Sequence, residues 1–492
     1  MKTDKMPKTL SKSTYLKGLQ CSKYLWVYIN DNKKIPEPDK NAQFRFDQGH
    51  QVGELAKKLF PKGIDIPFDD IGKNIKQTQE LLKKRKPLFE PALSVDDIYA
   101  RADILNPVGK DEWDIVEVKS SASVKDVYIQ DVAFQKYCFE KAGLKIRKCF
   151  ILHINTSYVK KGKIDPKKIF TKKEITEEVK EEIKCVDERI KAMQKILSLN
   201  NCPKVTIGKQ CSDPYDCPLM DYCWKFLPKN SVFDLYWGGK SEELLERGIL
   251  AIKDIPDDFK LSDKQQIQRE CERKNKCHIH KESIKHFLNT LHYPMYFLDF
   301  ETVGTAIPLY DGTKPYQQVP FQFSLHILQA DGTLSHHEFL ASGKDDPRKE
   351  LLKSLKGSIG DKGSVIAYNA CFEISRLKEM YKLFPKEKWI PGVIDRVVDL
   401  LVPFRNFSYY NPKQQGSCSM KDVLPALVGK GYEDIDISQG GDATITFLDM
   451  TFGKVSDKEQ EKMRKDLLEY CGRDTEGMVW IVEKLRKTIE GI

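Results

Sequence analysis

Alternation of apolar and polar positions is the first pattern the chain offers. Trp113-Asp114-Ile115-Val116-Glu117-Val118-Lys119 is rich in β-branched and aromatic residues and predicts a strand. The run Tyr99 to Leu105 predicts another, with Asn106 to Glu112, carrying Pro107 and Gly109, as the turn between them. Further strands are predicted at Cys149 to Asn155, Met295 to Thr302, Phe321 to Leu328 and Ser364 to Asn369. Helical spacing takes over elsewhere. Ser11 or Ser13 caps a helix leading to Cys21 and Trp26. Val52, Leu55, Ala56 and Leu59 share one side of a helix within Phe44 to Phe60. Val127 to Tyr137 reads as an amphipathic helix stopped at Gly143. Val179, Ile183, Val186, Ile190, Met193 and Leu197 form the single apolar stripe of one long helix. Leu244 to Ile255 reads helix, glycine turn, helix, a helix–hairpin–helix-like unit able to offer N–H groups to phosphate. A plain helical connector answers to the same pattern. This order predicts an α/β chain with a first domain over 1–230, a helical linker over 231–290 and a second domain over 291–492.

Composition narrows the class. With 40% hydrophobic and 31% charged residues the chain is globular, and no apolar run is long enough to cross a bilayer. Met1 to Met6 is basic but lacks the apolar stretch of a secretory leader, so a cytoplasmic location is expected. Thirteen cysteines in such a chain point to thiols and metal sites rather than a disulfide framework. A net charge of +9 suits a phosphate-rich partner and equally an ordinary lysine-rich surface.

The candidate chemistry sits on the strands. Glu117 and Lys119 share a strand face, and a hairpin would bring Asp103 beside them. Two carboxylates can hold a divalent cation, and a neighbouring lysine can orient water or offset charge on phosphate. A solvated strand face answers to the same triplet. Glu54, on the preceding helix, is placed to reach this site, or to be a solvated helical residue. Cys211, Cys217 and Cys223 recur at steps wider than the tight pairs of structural zinc. Four thiolates from separate stretches are the usual holders of an iron–sulfur cluster, and Cys21 is a candidate fourth. Cys271, Cys277, His278 and His280 fit no common zinc finger, and their lysine-rich surroundings suggest an exposed linker. In the second half Asp299 and Glu301 lie on one face of an apolar strand, which is costly without a cation. Glu373 follows another strand, and Tyr470 and Asp474 sit four apart on a helix. Acidic patches this far apart can converge at one sheet edge, bind two divalent ions and support attack of water on phosphorus.

Taken together, Cys21, Asp103, Glu117-x-Lys119, Gln130, Cys211, Cys217 and Cys223 resemble the RecB-like PD-(D/E)XK nucleases with an iron–sulfur staple, among them the CRISPR-adaptation exonucleases and AddB-type repair nucleases. The resemblance covers about residues 9–227. It implies a restriction-endonuclease-like fold, Asp103 and Glu117 as metal ligands, Lys119 as the catalytic lysine and Gln130 as the glutamine of the family's QxxxY helix. It also implies a 4Fe–4S cluster on Cys21, Cys211, Cys217 and Cys223. Phe134 stands where the family has tyrosine, and Gly53 where many members carry a metal-binding histidine, a role Glu54 would then take.

Asp299-x-Glu301, Tyr368 to Glu373 and Tyr470-x-x-x-Asp474 likewise resemble the RNase H-like DEDD exonucleases of the DnaQ type, in the variant ending Tyr-x-x-x-Asp. Ser419 to Leu424 and Gly440 to Ala443 resemble the substrate-side segment of a bacterial subfamily of these enzymes. This second resemblance covers about residues 293–488. It implies Asp299, Glu301, Glu373 and Asp474 as Mg2+ or Mn2+ ligands and Tyr470 as the residue orienting the water. Glu373 departs from the family's Asp, with Asp395 and Asp399 as spare acids nearby. The pair of resemblances matches uncharacterised bacterial two-nuclease proteins. It implies hydrolysis of nucleic acid, DNA favoured over RNA, in repair, end processing or defence, and leaves open a helicase, repair or defence partner. Two other readings stand beside it: a ribonuclease acting through the second half, and a nucleic-acid-binding scaffold whose sites have decayed.

Overall fold

Where the chain alternates, the computed structural model has strands, and where it repeats every three to four residues it has helices. Residues 9–67, 70–437 and 439–491 are described; the N-terminal run read for a leader lies outside them. The protein is a mixed α/β chain of two units. Unit 1 comprises residues 1–225 and 305–316, and unit 2 comprises residues 226–304 and 317–492. The second unit thus lends the stretch 305–316 to the first, which the sequence-based boundaries do not anticipate.

In unit 1, α1 (Lys12–Gln20) and α2 (Ser22–Asn30) open the chain, and α3 (Lys40–Lys57) follows. A six-stranded sheet runs in chain order: β1 (Ile64–Asp65), β2 (Leu88–Phe89), β3 (Ile104–Val108), β4 (Glu112–Lys119), β5 (Lys145–Ile154) and β6 (Phe170–Glu174). β4 lies antiparallel to β3 and parallel to β5. The crossover between β4 and β5 is α4 (Asp126–Lys141), whose Val132, Phe134 and Phe139 are fully buried on the sheet. Two expectations change here. The run Tyr99 to Leu105 is not one strand: a short strand ends at Arg101 and β3 starts at Ile104, so Asp103 sits at a bend. The turn is correspondingly short, because β3 continues through Pro107 and pairs it with Trp113. The expected long helix is two, α5 (Thr176–Glu182) and α6 (Val186–Leu197), joined by a 3-10 turn over Ile183–Cys185.

Unit 2 is built on a five-stranded sheet of β7 (Met295–Val303), β8 (Val319–Leu328), β9 (Leu334–Leu340), β10 (Ser364–Ala367) and β11 (Val397–Asp399), in the order β9-β8-β7-β10-β11. β8 and β9 pair antiparallel, β10 and β11 parallel. Four helices serve the site at its central strand: α7 (Cys371–Leu383), α8 (Met420–Val428), α9 (Gly440–Phe452) and α10 (Asp457–Glu490). α9 is fixed by Phe447, whose ring stacks on Phe321 of β8 at 3.9 Å and 10°. Gln322 donates to the Leu467 carbonyl at 2.8 Å and ties β8 to α10.

The stretch read as a linker packs as part of unit 2. Ile284, Phe287 and Leu288 enter the core beside Met478 and Ile481 of α10, and His278–Ile279 pairs with Tyr409–Tyr410. Cys271 is accordingly buried, not exposed. The second helix of the expected helix–hairpin–helix is only a 3-10 turn, Ile252–Asp254.

Candidate functional sites

Three side-chain clusters stand out, and the sheets explain two of them. In unit 1, β4 delivers Glu117 and Lys119 to one face. The Asp103 carboxylate reaches over from the bend and accepts the Val118 N–H at 2.7 Å. Glu117 is 1% exposed. Its Oε1 accepts Lys119 Nζ at 2.7 Å and Lys12 Nζ at 2.9 Å, and its Oε2 accepts the Gln135 amide at 2.8 Å. Asp131 lies on the other side of Lys119, 2.7 Å from Nζ. Burial disfavours ionisation of Glu117, but the ammoniums of Lys119 and Lys12 outweigh it and hold its carboxyl well below the usual range. Asp103 moves the other way. Burial, then the Glu117 charge, push it up to about 7 against both lysines. Lys119 stays a cation, since Asp131 and Glu117 overcome its burial. The cleft here is about 430 Å³ and is also lined by His50, Glu54 and Glu90.

The expected Glu54 therefore faces this cleft, with its carboxylate held by Lys57 at 2.5 Å. The amide on Glu117 is that of Gln135; Gln130, expected as the glutamine of the QxxxY helix, is half-buried on the same helix, α4. The two glutamines are five residues apart, about 140° around the helix, so both cannot face the same strand. Lys12, Asp131 and Gln135 were missed from sequence. Asp131 left a signal, because it falls on the apolar stripe of Val127, Phe134 and Cys138, where a carboxylate is 1% exposed only if partnered.

The second cluster is the thiols. Cys21 caps the end of α1 and meets Cys211, Cys217 and Cys223 around a small pocket lined also by Tyr24, Ile207 and Leu219. Burial pushes the Cys217 thiol up to about 11, the other three sulfurs adding to it, while the Leu219 N–H opposes. Cys21 is raised by burial too, against N–H groups of Tyr24 and Lys23. All thirteen cysteines are free thiols.

The third cluster lies at the end of β7 in unit 2. Oxygens of Asp299, Glu301 and Asp474 lie within 4.8 Å of one another, the sole such group of metal-ligating side chains among the described residues. Glu301 is presented at a bulge, where the register with β8 shifts between Glu301 and Thr302. Glu373, 3% exposed on the first turn of α7, lines the same cleft of about 740 Å³, and its Oε2 is buried without a hydrogen-bond partner. Burial and then Asp299 push Glu373 up to about 9 and Asp474 up to about 8. Burial alone carries Asp299 to about 6. Glu301 is raised strongly, by burial and then by Asp299 and Asp474. Four crowded acids that resist ionisation together are a site short of positive charge. Asp399, one of the spare acids, is occupied in structure: it accepts the N–H groups of Asn369 and Leu401 at 2.9 and 3.0 Å. Asp395 is exposed at the end of its helix.

α10 brings Tyr470 and Asp474 in together, as the spacing predicts. Sequence reasoning missed Tyr432, whose hydroxyl donates to Asp474 at 2.5 Å. It also missed Cys471, buried with its sulfur 3.5 Å from Asp299 Oδ2. Burial, then the Asp474 charge, hold the Tyr470 phenol far above its ordinary value, so it is a donor and not a base.

Comparison with known proteins adds little chemistry. Residues 296–419 match a domain of unknown function (DUF2779). The chain is 26% identical over 242 residues to an uncharacterised protein of Ureaplasma parvum, covering 44% of this chain and 35% of that one. It is 24% identical over 222 residues to an uncharacterised protein of Mycoplasma genitalium, 40% and 33% of the two chains. A Mycoplasma pneumoniae homologue of the latter is 25% identical over 207 residues, 38% and 31%. The chain thus spans about a third of the length of the curated relatives it matches. No described helix is long and apolar enough to cross a membrane.

Proposed function

We propose that this chain is a metal-dependent nuclease with two phosphodiester-hydrolysing sites: a RecB-like PD-(D/E)XK site in unit 1 and an RNase H-like DEDD exonuclease site in unit 2. The observation that carries the reading is the convergence of Asp299, Glu301 and Asp474 within 4.8 Å, beside the bare buried oxygen of Glu373. Carboxylates so placed fit Mg2+ or Mn2+, which would supply charge for phosphate oxygens and lower the pKa of a bound water. Tyr470, kept protonated, would be a donor to an attacking water, and Tyr432 holds Asp474 in place by donating to it. In unit 1 Asp103 and Glu117 would be the ligands, and the permanently charged Lys119 would face the phosphate rather than take a proton.

The four thiols fit an iron–sulfur cluster better than a single zinc. Tetrahedral zinc with bonds of about 2.3 Å needs sulfurs about 3.8 Å apart. Among the described residues no three thiols come within 4.8 Å of one another, although all four line one pocket. N–H groups directed at Cys21 and Cys217 suit sulfurs that share a cluster's charge. The cluster would supply a clasp between α1 and the 211–223 segment.

End-labelled single- and double-stranded DNA and RNA, digested in parallel by wild type, Lys119→Ala and Asp299→Ala, test the proposal. Each variant is expected to lose one activity, and the double variant both. Products unchanged in the double variant would refute it. RNA cut in preference to DNA by the unit 2 site would make that half a ribonuclease.

A further inference from the structure

We propose that the ammonium of Lys12 holds the cation position of the unit 1 acidic site, so that a divalent ion binds there by displacing it and frees it for a phosphate of the nucleic-acid strand. This rests on the nuclease reading of unit 1. Its starting point is the place of Lys12 in the chain. Ser11 caps α1 through a reciprocal box with Thr14, which fixes Lys12 as the first helical residue. A cation there opposes the helix dipole, and the first turn holds no acid to offset it. The residue therefore serves something outside its helix, and its partners say what: Glu117 Oε1 at 2.9 Å and Asp131 Oδ1 at 3.5 Å.

Geometry singles out Lys12 as the exchangeable cation. Three carboxylates, those of Asp103, Glu117 and Asp131, meet two ammoniums, those of Lys119 and Lys12, in this pocket. Glu90, at the margin, is paired with Arg101 at 3.1 Å. A divalent ion in place of Lys12 brings one more positive charge to the same carboxylates. Lys119 is clamped between Glu117 and Asp131 at 2.7 Å each. Lys12 makes the longer contacts, at 2.9 and 3.5 Å, while the two side chains are about equally exposed, 23% and 20%. The flexible stem of Lys12 lets the ammonium swing towards solvent without moving α1.

The test is a titration with Mn2+ alone, read from the spectrum of free Mn2+, on the full chain carrying Asp299→Asn to silence unit 2. Lys12→Met is expected to tighten Mn2+ binding about tenfold, since a competing charge is gone. Lys12→Arg, which keeps the charge, is expected to stay within about threefold of the parent. On DNA, Lys12→Met is expected to need less metal for half-saturation yet show a raised KM. Affinity for Mn2+ unchanged or weaker in Lys12→Met overturns the proposal, and so does a tighter metal with KM unmoved. Glu117→Gln tells this failure from that of the parent reading: Mn2+ retained in that variant means that unit 1 holds no metal site of this kind.

Discussion

Asp474→Asn removes one charge from the crowded end of β7 and keeps the oxygen that accepts the Tyr432 hydroxyl. Asp474 is raised from 3.8 to about 8, by burial first and Asp299 next. Its folded pKa lies above the unfolded one, so it takes up a proton on folding. Its contribution to stability is complete below the unfolded pKa and is lost as the pH climbs through the folded one. At about 1.4 kcal/mol per unit, the rise bounds the penalty at roughly 6 kcal/mol in alkaline solution. Neighbouring acids protonate in its place and water enters the open cleft, so about 2 kcal/mol is the expected gain from Asn. For a unit of this size that is a melting temperature higher by roughly 4–8 °C. The assay is calorimetric unfolding of the full chain in a chelator, near pH 8.5 and again near pH 4.5, where the folded-state acids are neutral and the gain should shrink to a small fraction. Added Mg2+ should reverse the order, since wild type then gains a ligand that the variant has lost. Wild type as stable as the variant near pH 8.5, or the same gain at both pH values, would refute the claim that these acids are short of a cation.

Other perturbations address other parts of the molecule. Phe447→Ala breaks the stack that fixes α9 and should cost about 3–5 kcal/mol in denaturant unfolding of unit 2, with loss of the nuclease activity proposed for it. Cys217→Ala should lower iron and acid-labile sulfide together in anaerobically purified protein; zinc in the wild type would contradict the cluster. Glu373→Ala should reduce unit 2 turnover at least about a hundredfold, whereas Glu373→Asp, one methylene shorter, should retain most of it. Should Glu373→Ala behave as wild type, the fourth ligand lies elsewhere.

Strands β4 and β7 were legible because acids interrupt runs of Ile, Val, Phe and Leu, a combination that needs a strand and a counter-ion at once. Tyr470 and Asp474 were legible because a helix turns i and i+4 to the same side. The break in the helix over 176–197 was hidden by its own regularity: a 3-10 turn also repeats every three residues, so Ile183 and Val186 stay on the stripe across it. Gln135 was hidden because only the packing of α4 on β4 fixes which side of the helix faces Glu117. Lys12 left no local trace, since its partner is 105 residues away. Tyr432 arrives from a loop, and periodicity says nothing of loops.

The stretch 305–316 bears on how the molecule can be taken apart. It leaves β7, supplies Ala306 to the apolar cluster around Val52 and Ile104, accepts Lys160 on Asp311 at 2.6 Å, and returns to β8. A gene cut once anywhere between codons 226 and 304 would therefore yield a front piece with an unfilled hole in its hydrophobic interior and a back piece trailing a greasy ribbon. Dissection of this protein needs two junctions, with the ribbon grafted onto the front piece and a short bridge closing the gap it leaves.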